Sequence, residues 1–192
     1  MIVVMAIIGL LIWRGLGYDR WLSKTIVVLC VFMLVGTISE GLWRHNEAVG
    51  TKMVRSVSGE EYSTLICNRP TGEVLNKQPG GNIQGWVWSR EPLVANIRYA
   101  VCLDFQSWLW SDKSHASQAQ ILALGIIMHE ARHVGGEWGE ASAECQAIER
   151  YADTVMDFGV KPKEAERMAE AYAIYNDGGP SSYVCSSDPY TD

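Results

Sequence analysis

The chain has 192 residues, a formal net charge of −6 and 48% hydrophobic residues. This length suits one domain with a modest core and an appendage. The acidic balance argues against a nucleic-acid-binding protein, because such proteins usually present a basic face. The hydrophobic residues are unevenly distributed, with two strongly apolar runs near the N-terminus. We therefore predict a membrane anchor or signal region over residues 1–43 and a separate domain over residues 44–192.

The two apolar runs lie at residues 1–13 and 25–39. Each run is shorter than the roughly 20 residues that a membrane-spanning helix needs. Three arrangements fit these lengths: two short spans, a single signal anchor over residues 25–43, or a signal peptide cleaved near Thr37 and Ser39. Two buried core helices are a further alternative, which is disfavoured because neither run has a polar face.

The basic residues between the runs predict the orientation of the chain. Arg14, Arg20 and Lys24 lie there, opposed by a single acidic residue. Positively charged loops remain in the cytoplasm, so everything after residue 44 is expected on the other side of the membrane. We expect a domain that is anchored to the membrane by its N-terminal segment and lies outside the cytoplasm, or that is secreted.

The number and placement of the cysteines are consistent with export of the domain. Cys30 lies within the second apolar run and is expected to be a free thiol. The predicted domain keeps four cysteines, and an even number in an oxidising compartment predicts two disulfides. Of the three possible pairings we favour Cys67–Cys102 with Cys145–Cys185, which fasten the front and back halves separately. Free buried cysteines are the alternative.

The front half of the domain is expected to be a small, irregular β-rich patch. Residues 44–60 are interpreted as a juxtamembrane segment and lead-in strand. Branched and aromatic residues predict a strand at residues 62–68, and two more at residues 83–88 and 92–99. The Pro- and Gly-rich residues 68–82 are predicted to form a loop.

The back half is expected to be helical from Tyr99 onwards. A long helix over residues 116–134 is apolar on all sides in its middle, which places it at the centre of the domain. Glycines end it, and further helices are predicted at about residues 138–158 and 162–176. The predicted fold class is α+β and mainly helical, with a small irregular β patch.

The segment HEARH matches the pattern H-E-x-x-H at His129, Glu130 and His133. Residues i and i+4 lie on one helix face, about 5–6 Å apart, so both imidazoles can reach one zinc ion. Glu130 can then act as general base for a metal-activated water. Arg132 points away from this face. The alternative is a surface helix end at which two histidines interact with the helix dipole.

A zinc site needs a third protein ligand, and the nearby carboxylates are Glu137, Glu140 and Glu144. In a straight helix, Glu140 would lie about 10 Å beyond His133, so the chain must fold back between them. Glycines permit such a turn: Gly135, Gly136 and Gly139. Glu140 would then bind zinc, and Glu144 would hydrogen-bond a ligand histidine. Glu137 is the weaker candidate, and the residues alone leave the choice between Glu140 and Glu144 open.

His129, Glu130 and His133, followed by the run EASAE, resemble the gluzincin branch of zinc metallopeptidases. The pattern of that branch is H-E-x-x-H followed by E-x-x-A-[DE] or E-x-x-x-[DE]. The resemblance implies a zincin-like core, with Glu140 as third ligand and Glu144 supporting a ligand histidine. Well-characterised members usually carry a much longer insertion at the point where six residues separate His133 from Glu140 here.

A narrower resemblance covers roughly residues 62–187. It is to small exported bacterial proteins that contain H-E-x-x-H, a glycine and then E-A-x-A-E-C, with an upstream cysteine pair and a late cysteine. The further matching residues are Gly136, Ala141, Ala143, Cys145, Cys67, Cys102 and Cys185. The metzincin pattern also fits as far as Gly136, but its third histidine would fall on Gly139, which excludes a standard metzincin site.

Taken together, the sequence predicts an extracytoplasmic metallopeptidase that uses Zn²⁺ to hydrolyse peptide bonds in an unknown peptide or protein. Tyr151 and His115 are candidates for stabilising the oxyanion, with Tyr99 and Tyr172 as alternatives. The competing hypothesis is a non-catalytic exported binding module that zinc merely stabilises.

Overall fold

The computed structural model describes residues 20–70, 83–177 and 185. The chain divides into two compact units, residues 1–45 and 46–192. The predicted boundary was at residues 43 and 44. The apolar run at residues 1–13 and most of the predicted loop at 68–82 lie outside the described residues.

Helix α1 comprises Arg20–Ser58. Its Ile26–Ser58 part contains an 18-residue window with a mean hydropathy of 2.1, none of which is buried. Large apolar side chains are exposed along residues 27–35. By length and composition, this helix can cross a membrane.

The prediction of a lead-in strand within residues 44–60 is wrong, because α1 continues to Ser58. The buried positions of this part follow the 3.6-residue period of a helix. They recur every three or four residues: Asn46, Gly50, Met53, Val54 and Val57. The helix therefore supplies part of the core of the second unit.

A three-stranded sheet follows, formed by β1 (Thr64–Cys67), β2 (Gly85–Trp88) and β3 (Glu91–Ile97). The strand order is β1-β3-β2, with β1 parallel and β2 antiparallel to β3. The register aligns Cys67 with Ile97 and Ile97 with Gly85. Strands β1 and β2 lie within predicted segments, whereas β3 begins one residue before the predicted segment 92–99 and ends two residues before the end of that segment. Within the described residues, β2 is therefore an edge strand.

Among the described residues of the second unit, four more helices follow the sheet: α2 (Tyr99–Leu109), α3 (Gln118–Val134), α4 (Glu140–Asp157) and α5 (Pro162–Asp177). Helix α3 packs against all three of the other helices and against β2 and β3. The centre of the unit is therefore α3, as the apolar composition of its middle predicts. The fold is a mixture of helices and a small sheet, with an apolar helix at the N-terminal side.

Helix α3 starts two residues later than predicted because Ser117 caps it. The Ser117 hydroxyl accepts a hydrogen bond from the Gln120 backbone, and the Gln120 side chain accepts one from the Ser117 backbone. This reciprocal capping box fixes the N-terminus of α3. The opposite end of the same helix carries His129 and His133.

Two disulfides fasten the second unit. Cys67 of β1 pairs with Cys102 of α2, and Cys145 of α4 pairs with Cys185. These are the two pairings that the sequence favoured. Cys30 is a free, exposed cysteine in α1.

Candidate metal centre

Two imidazoles converge at the C-terminal end of α3. His129 and His133 lie one turn apart, their ring centroids are 4.7 Å apart and their Nε2 atoms are 3.0 Å apart. Their side chains are only 13% and 8% exposed. The spacing of H-E-x-x-H therefore produces the same-face pair that the helical period predicts.

The chain reverses immediately after this pair. Helix α3 ends at Val134, and Gly136 adopts a φ of 92°. The Glu137 amide donates to the Arg132 carbonyl, and the Gly136 amide donates to the His133 carbonyl. These two bonds form a Schellman motif, which requires the left-handed residue that glycine provides. Of Gly135, Gly136 and Gly139, only Gly136 has a positive φ.

The reversal brings Glu140 back to the histidines from the first turn of α4. Its Oε2 lies 3.2 Å from His129 Nε2, and its Oε1 lies 3.6 Å from His133 Nε2. The three side chains each offer one ligand atom, and these atoms lie within 4.8 Å of one another. A six-residue connection is therefore long enough to complete a group that could hold a metal ion.

Hydrogen bonds on the far side of each ring fix the direction of the nitrogen lone pairs. His129 Nδ1 lies 2.7 Å from Glu144 Oε2, and His133 Nδ1 lies 2.6 Å from the Glu137 backbone carbonyl oxygen. Both partners accept hydrogen bonds, so each Nδ1–H donates. The Nε2 lone pairs then face each other and the Glu140 carboxylate. The two Nε2 lone pairs and the Glu140 carboxylate thus converge on one point, where they could bind a cation.

Burial and nearby negative charges have opposite effects on the pKa of His129. Burial disfavours its charged form, but the hydrogen bond to Glu144 and the charges of Glu130, Glu144 and Glu140 raise its pKa above the ordinary value. The surroundings of His129 therefore favour a positive charge at this ring, whether a proton or a metal ion carries it.

Glu130 lies beside the histidine pair and against the sheet. It is 5% exposed, and its Oε2 is buried with no hydrogen-bond partner among the described residues. A Cβ added to Gly85 of β2 would lie 2.6 Å from Glu130 Cγ and 2.8 Å from Oε1. Only glycine at position 85 therefore lets the strand approach this carboxyl group so closely.

Burial raises the pKa of the Glu130 carboxyl to about 7. The neighbouring His129 charge lowers it, while the Glu140 and Glu144 charges add to the increase. Glu130 is therefore a buried acid that holds or releases its proton near neutral pH.

Glu137 lies in the turn, and the hydrogen bonds of its carboxylate are to residues other than the histidines. It accepts hydrogen bonds from the Ser142 hydroxyl, the Gly139 amide and the Gln146 side chain. These bonds, led by that of Ser142, lower the pKa of Glu137. Its contribution to the site is its backbone carbonyl at His133, which a search for side-chain ligands could not have revealed.

Trp138 is a second neighbour of the site that the sequence did not single out. Its ring stacks on that of His133 with centroids 6.2 Å apart and planes inclined by 21°. The residue is nevertheless 52% exposed. Its position between His133 and Glu140 in the sequence was the only signal available.

The structure corrects the two candidates for oxyanion stabilisation. Tyr151 is fully buried, stacks on Tyr172 and donates its hydroxyl hydrogen to the Ile121 carbonyl. Ile121 lies eight residues before His129 in α3, a separation of about 12 Å along the helix axis. Burial also raises the pKa of Tyr151 above its usual range. Tyr151 is therefore a core residue outside the metal-binding group.

His115 lies before the N-terminus of α3, where it is exposed and hydrogen-bonded to Ser114. The 11 helical residues between the start of α3 and His129 correspond to about 16 Å. His115 is therefore at the opposite end of the helix and does not contribute to this group.

Arg132 points away from the histidine pair, as predicted, and its hydrogen-bond partner is a backbone carbonyl. Its guanidinium donates to the Val57 carbonyl in the last turn of α1 at 2.8 Å. A cation at this end of a helix satisfies a free carbonyl and interacts favourably with the helix dipole. The H-E-x-x-H helix is thereby joined directly to the end of α1.

No protein-family model, no curated protein and no solved structure matches this chain. Its function is therefore inferred from the chemistry of its own residues. The group formed by His129, His133 and Glu140 is the feature that carries most information.

Proposed function

We propose that this chain is a zinc metallopeptidase that acts outside the cytoplasm. His129, His133 and Glu140 are the zinc ligands in this proposal, and Glu144 orients His129. The supporting observation is the convergence of three ligand atoms within 4.8 Å, with both Nδ1 atoms engaged elsewhere. Two nitrogens and one carboxylate are a ligand set typical of catalytic zinc.

The number of ligands favours catalysis over a purely structural zinc site. Structural zinc sites are usually closed by four protein ligands, whereas catalytic sites have three and keep a position open. Within the described residues the group has three members. Glu140 is 65% exposed, so one side of the group is open to solvent.

A zinc ion in this group would activate water and polarise a substrate carbonyl. In this proposal Glu130 would accept the proton from the water and deliver it to the leaving amine. Two observations support this role: the Glu130 carboxyl interacts electrostatically with His129, and its buried Oε2 has no hydrogen-bond partner among the described residues.

The edge of the sheet suits a polypeptide substrate. Within the described residues β2 pairs only with β3, and its Gly85 touches Glu130. An extended peptide can add to such an edge through backbone hydrogen bonds, and this would bring its carbonyl groups beside the site. These bonds do not depend on substrate side chains, so they suit peptide-bond hydrolysis.

The proposed location outside the cytoplasm is supported by two features of the chain. Helix α1 is long and apolar enough to cross a membrane. The disulfides Cys67–Cys102 and Cys145–Cys185 are typical of an oxidising compartment. We infer that the chain is anchored by α1 or secreted after its removal.

Zinc binding is the first expected result. The full chain, purified in detergent under oxidising conditions and supplied with zinc, should retain about one ion per chain by mass spectrometry of metals. Glu140→Gln should weaken zinc affinity by roughly 100-fold, because one of three ligands is lost. Glu149→Gln is the matched control, since Glu149 is an exposed glutamate of the same helix.

The zinc-loaded chain should also cleave a library of unstructured peptides, with products identified by mass spectrometry. No retained zinc would refute the proposal. Retained zinc without any cleavage would support the non-catalytic module instead.

A methyl group on β2 should displace the proposed base. In Gly85→Ala, the new Cβ would lie within 3 Å of three Glu130 atoms, so the carboxyl group must move. Peptidase activity should fall by about 100-fold, because a displacement of about 1 Å can have that effect. Zinc content should remain at the wild-type level, since Glu130 is not a ligand.

Gly41→Ala is the control for this substitution, because a Cβ at Gly41 would meet no atom within 4 Å. Its activity should equal that of the wild type. Unchanged kcat in Gly85→Ala would show that contact between β2 and Glu130 is irrelevant to catalysis.

A further inference from the structure

Trp138 is a large aromatic residue that is half open to solvent at the edge of the candidate metal centre. One face of its indole ring covers the imidazole of His133, at 6.2 Å between centroids. Trp138 is nevertheless 52% exposed to solvent. A large part of an aromatic surface is thus exposed beside one candidate ligand, His133, and two residues before another, Glu140.

The position of Trp138 is fixed by the residues on either side of it. The Glu137 carbonyl accepts a hydrogen bond from His133, and the Glu137 carboxylate accepts one from the Gly139 amide at 2.9 Å. The same carboxylate accepts a hydrogen bond from the Ser142 hydroxyl at 2.7 Å. The loop that carries Trp138 is therefore tied to both α3 and α4, and little further ordering is needed when a ligand binds.

The two acidic residues nearest to Trp138 in the sequence already have partners. The Glu137 carboxylate has three donors, from Gly139, Ser142 and Gln146. Glu140 is directed at the histidines. The surface that Trp138 presents is therefore apolar, and it gains most from contact with another apolar or aromatic group.

We propose that Trp138 forms the wall of a subsite that takes an aromatic or large apolar side chain of the peptide substrate. This inference rests on the proposed peptidase function. Consecutive residues of a peptide are about 3.8 Å apart, so a side chain on Trp138, 6.2 Å from the His133 ring, belongs to a residue that flanks the scissile bond or is next to it. Trp138 is thus a specificity-determining residue.

Binding of two small probes tests the subsite without turnover. N-acetyl-phenylalanine hydroxamate and N-acetyl-alanine hydroxamate both carry a zinc-binding group and differ in the side chain. Calorimetry with the zinc-loaded full chain should show the phenylalanine probe binding roughly tenfold more tightly, as expected for an aromatic contact. The difference should disappear in Trp138→Ala and remain in Trp138→Phe.

Trp110→Ala is the matched control, because Trp110 is a 61% exposed tryptophan that lies before the opposite end of α3. It should keep the tenfold difference. Zinc content is measured for every variant, because removing the Trp138 ring from His133 could weaken zinc binding, and this effect must be separated from loss of the subsite. Equal binding of the two probes to the wild type, or a difference that survives in Trp138→Ala, would overturn the inference.

Cleavage-site profiling with the peptide library separates this inference from the peptidase proposal. The wild type should cleave next to aromatic or large apolar residues, and Trp138→Ala should cleave with that preference lost. Cleavage without this preference, or with a preference for charged residues, would overturn the subsite and leave the peptidase standing. No cleavage, with the probe difference intact and dependent on Trp138, would refute the peptidase and leave an aromatic binding site.

Discussion

Replacing Glu130 by Gln is expected to remove most peptide hydrolysis while leaving zinc bound. Glutamine has nearly the same shape and fits the same space against Gly85, but it cannot accept and return a proton. Loss of a general acid–base group lowers kcat by about 10²- to 10⁴-fold. The measurement is kcat on a peptide chosen from the cleavage library, together with the zinc content of the same sample.

Zinc content decides how the Glu130→Gln result is interpreted. Glu130 is not one of the three groups whose ligand atoms converge, so the variant should retain the wild-type amount of zinc. Glu149→Gln controls for the removal of one acidic charge, since Glu149 is exposed on α4. Wild-type activity in Glu130→Gln would exclude Glu130 as the base, and loss of zinc together with activity would assign it a structural role.

Local periodicity predicted the parts of this fold that depend on neighbours in the sequence. The helix carrying His129 and His133 is specified by its apolar middle and by glycines at its end, and the i, i+4 spacing brings the two rings together. The strands and the later helices have clear boundaries for the same reason. The prediction of a lead-in strand within residues 44–60 was wrong, although the buried positions of residues 46–57 recur with a helical period.

The remaining features of the site depend on contacts that no local pattern encodes. The Glu137 carbonyl and Trp138 reach His133 only because a Schellman turn reverses the chain. Tyr151 shares the helical face of Glu140 and Glu144, yet α3 and α5 enclose it in the core. The sequence left Glu140 and Glu144 as candidates for the third member of the group. In the reversed helix, the Glu140 carboxylate lies 3.2 Å and 3.6 Å from the two Nε2 atoms, whereas Glu144 lies at His129 Nδ1.

Removal of the Cys145–Cys185 disulfide is expected to destabilise the domain and to weaken zinc binding. The bridge spans 40 residues, for which the chain-entropy model gives a stabilisation of about 4 kcal/mol. Cys145 follows directly after Glu144 in α4, so the bridge restrains the helix that carries both acidic residues of the site. A double Cys145→Ser, Cys185→Ser variant should therefore show a lower denaturation midpoint and a lower zinc affinity.

The other disulfide provides the matched control for this prediction. Cys67–Cys102 spans 35 residues, for which the same model also gives about 4 kcal/mol, but it joins β1 to α2 and not to a ligand-bearing helix. Removing it should lower stability to a similar extent and leave zinc affinity closer to that of the wild type.

Zinc affinity is compared at a temperature at which circular dichroism shows both variants to be folded. Equal loss of zinc affinity in the two variants would mean that the Cys145–Cys185 bridge acts through global stability alone. A larger loss of zinc affinity without the Cys145–Cys185 bridge would show that this bridge holds α4, and with it Glu140, in position for metal binding.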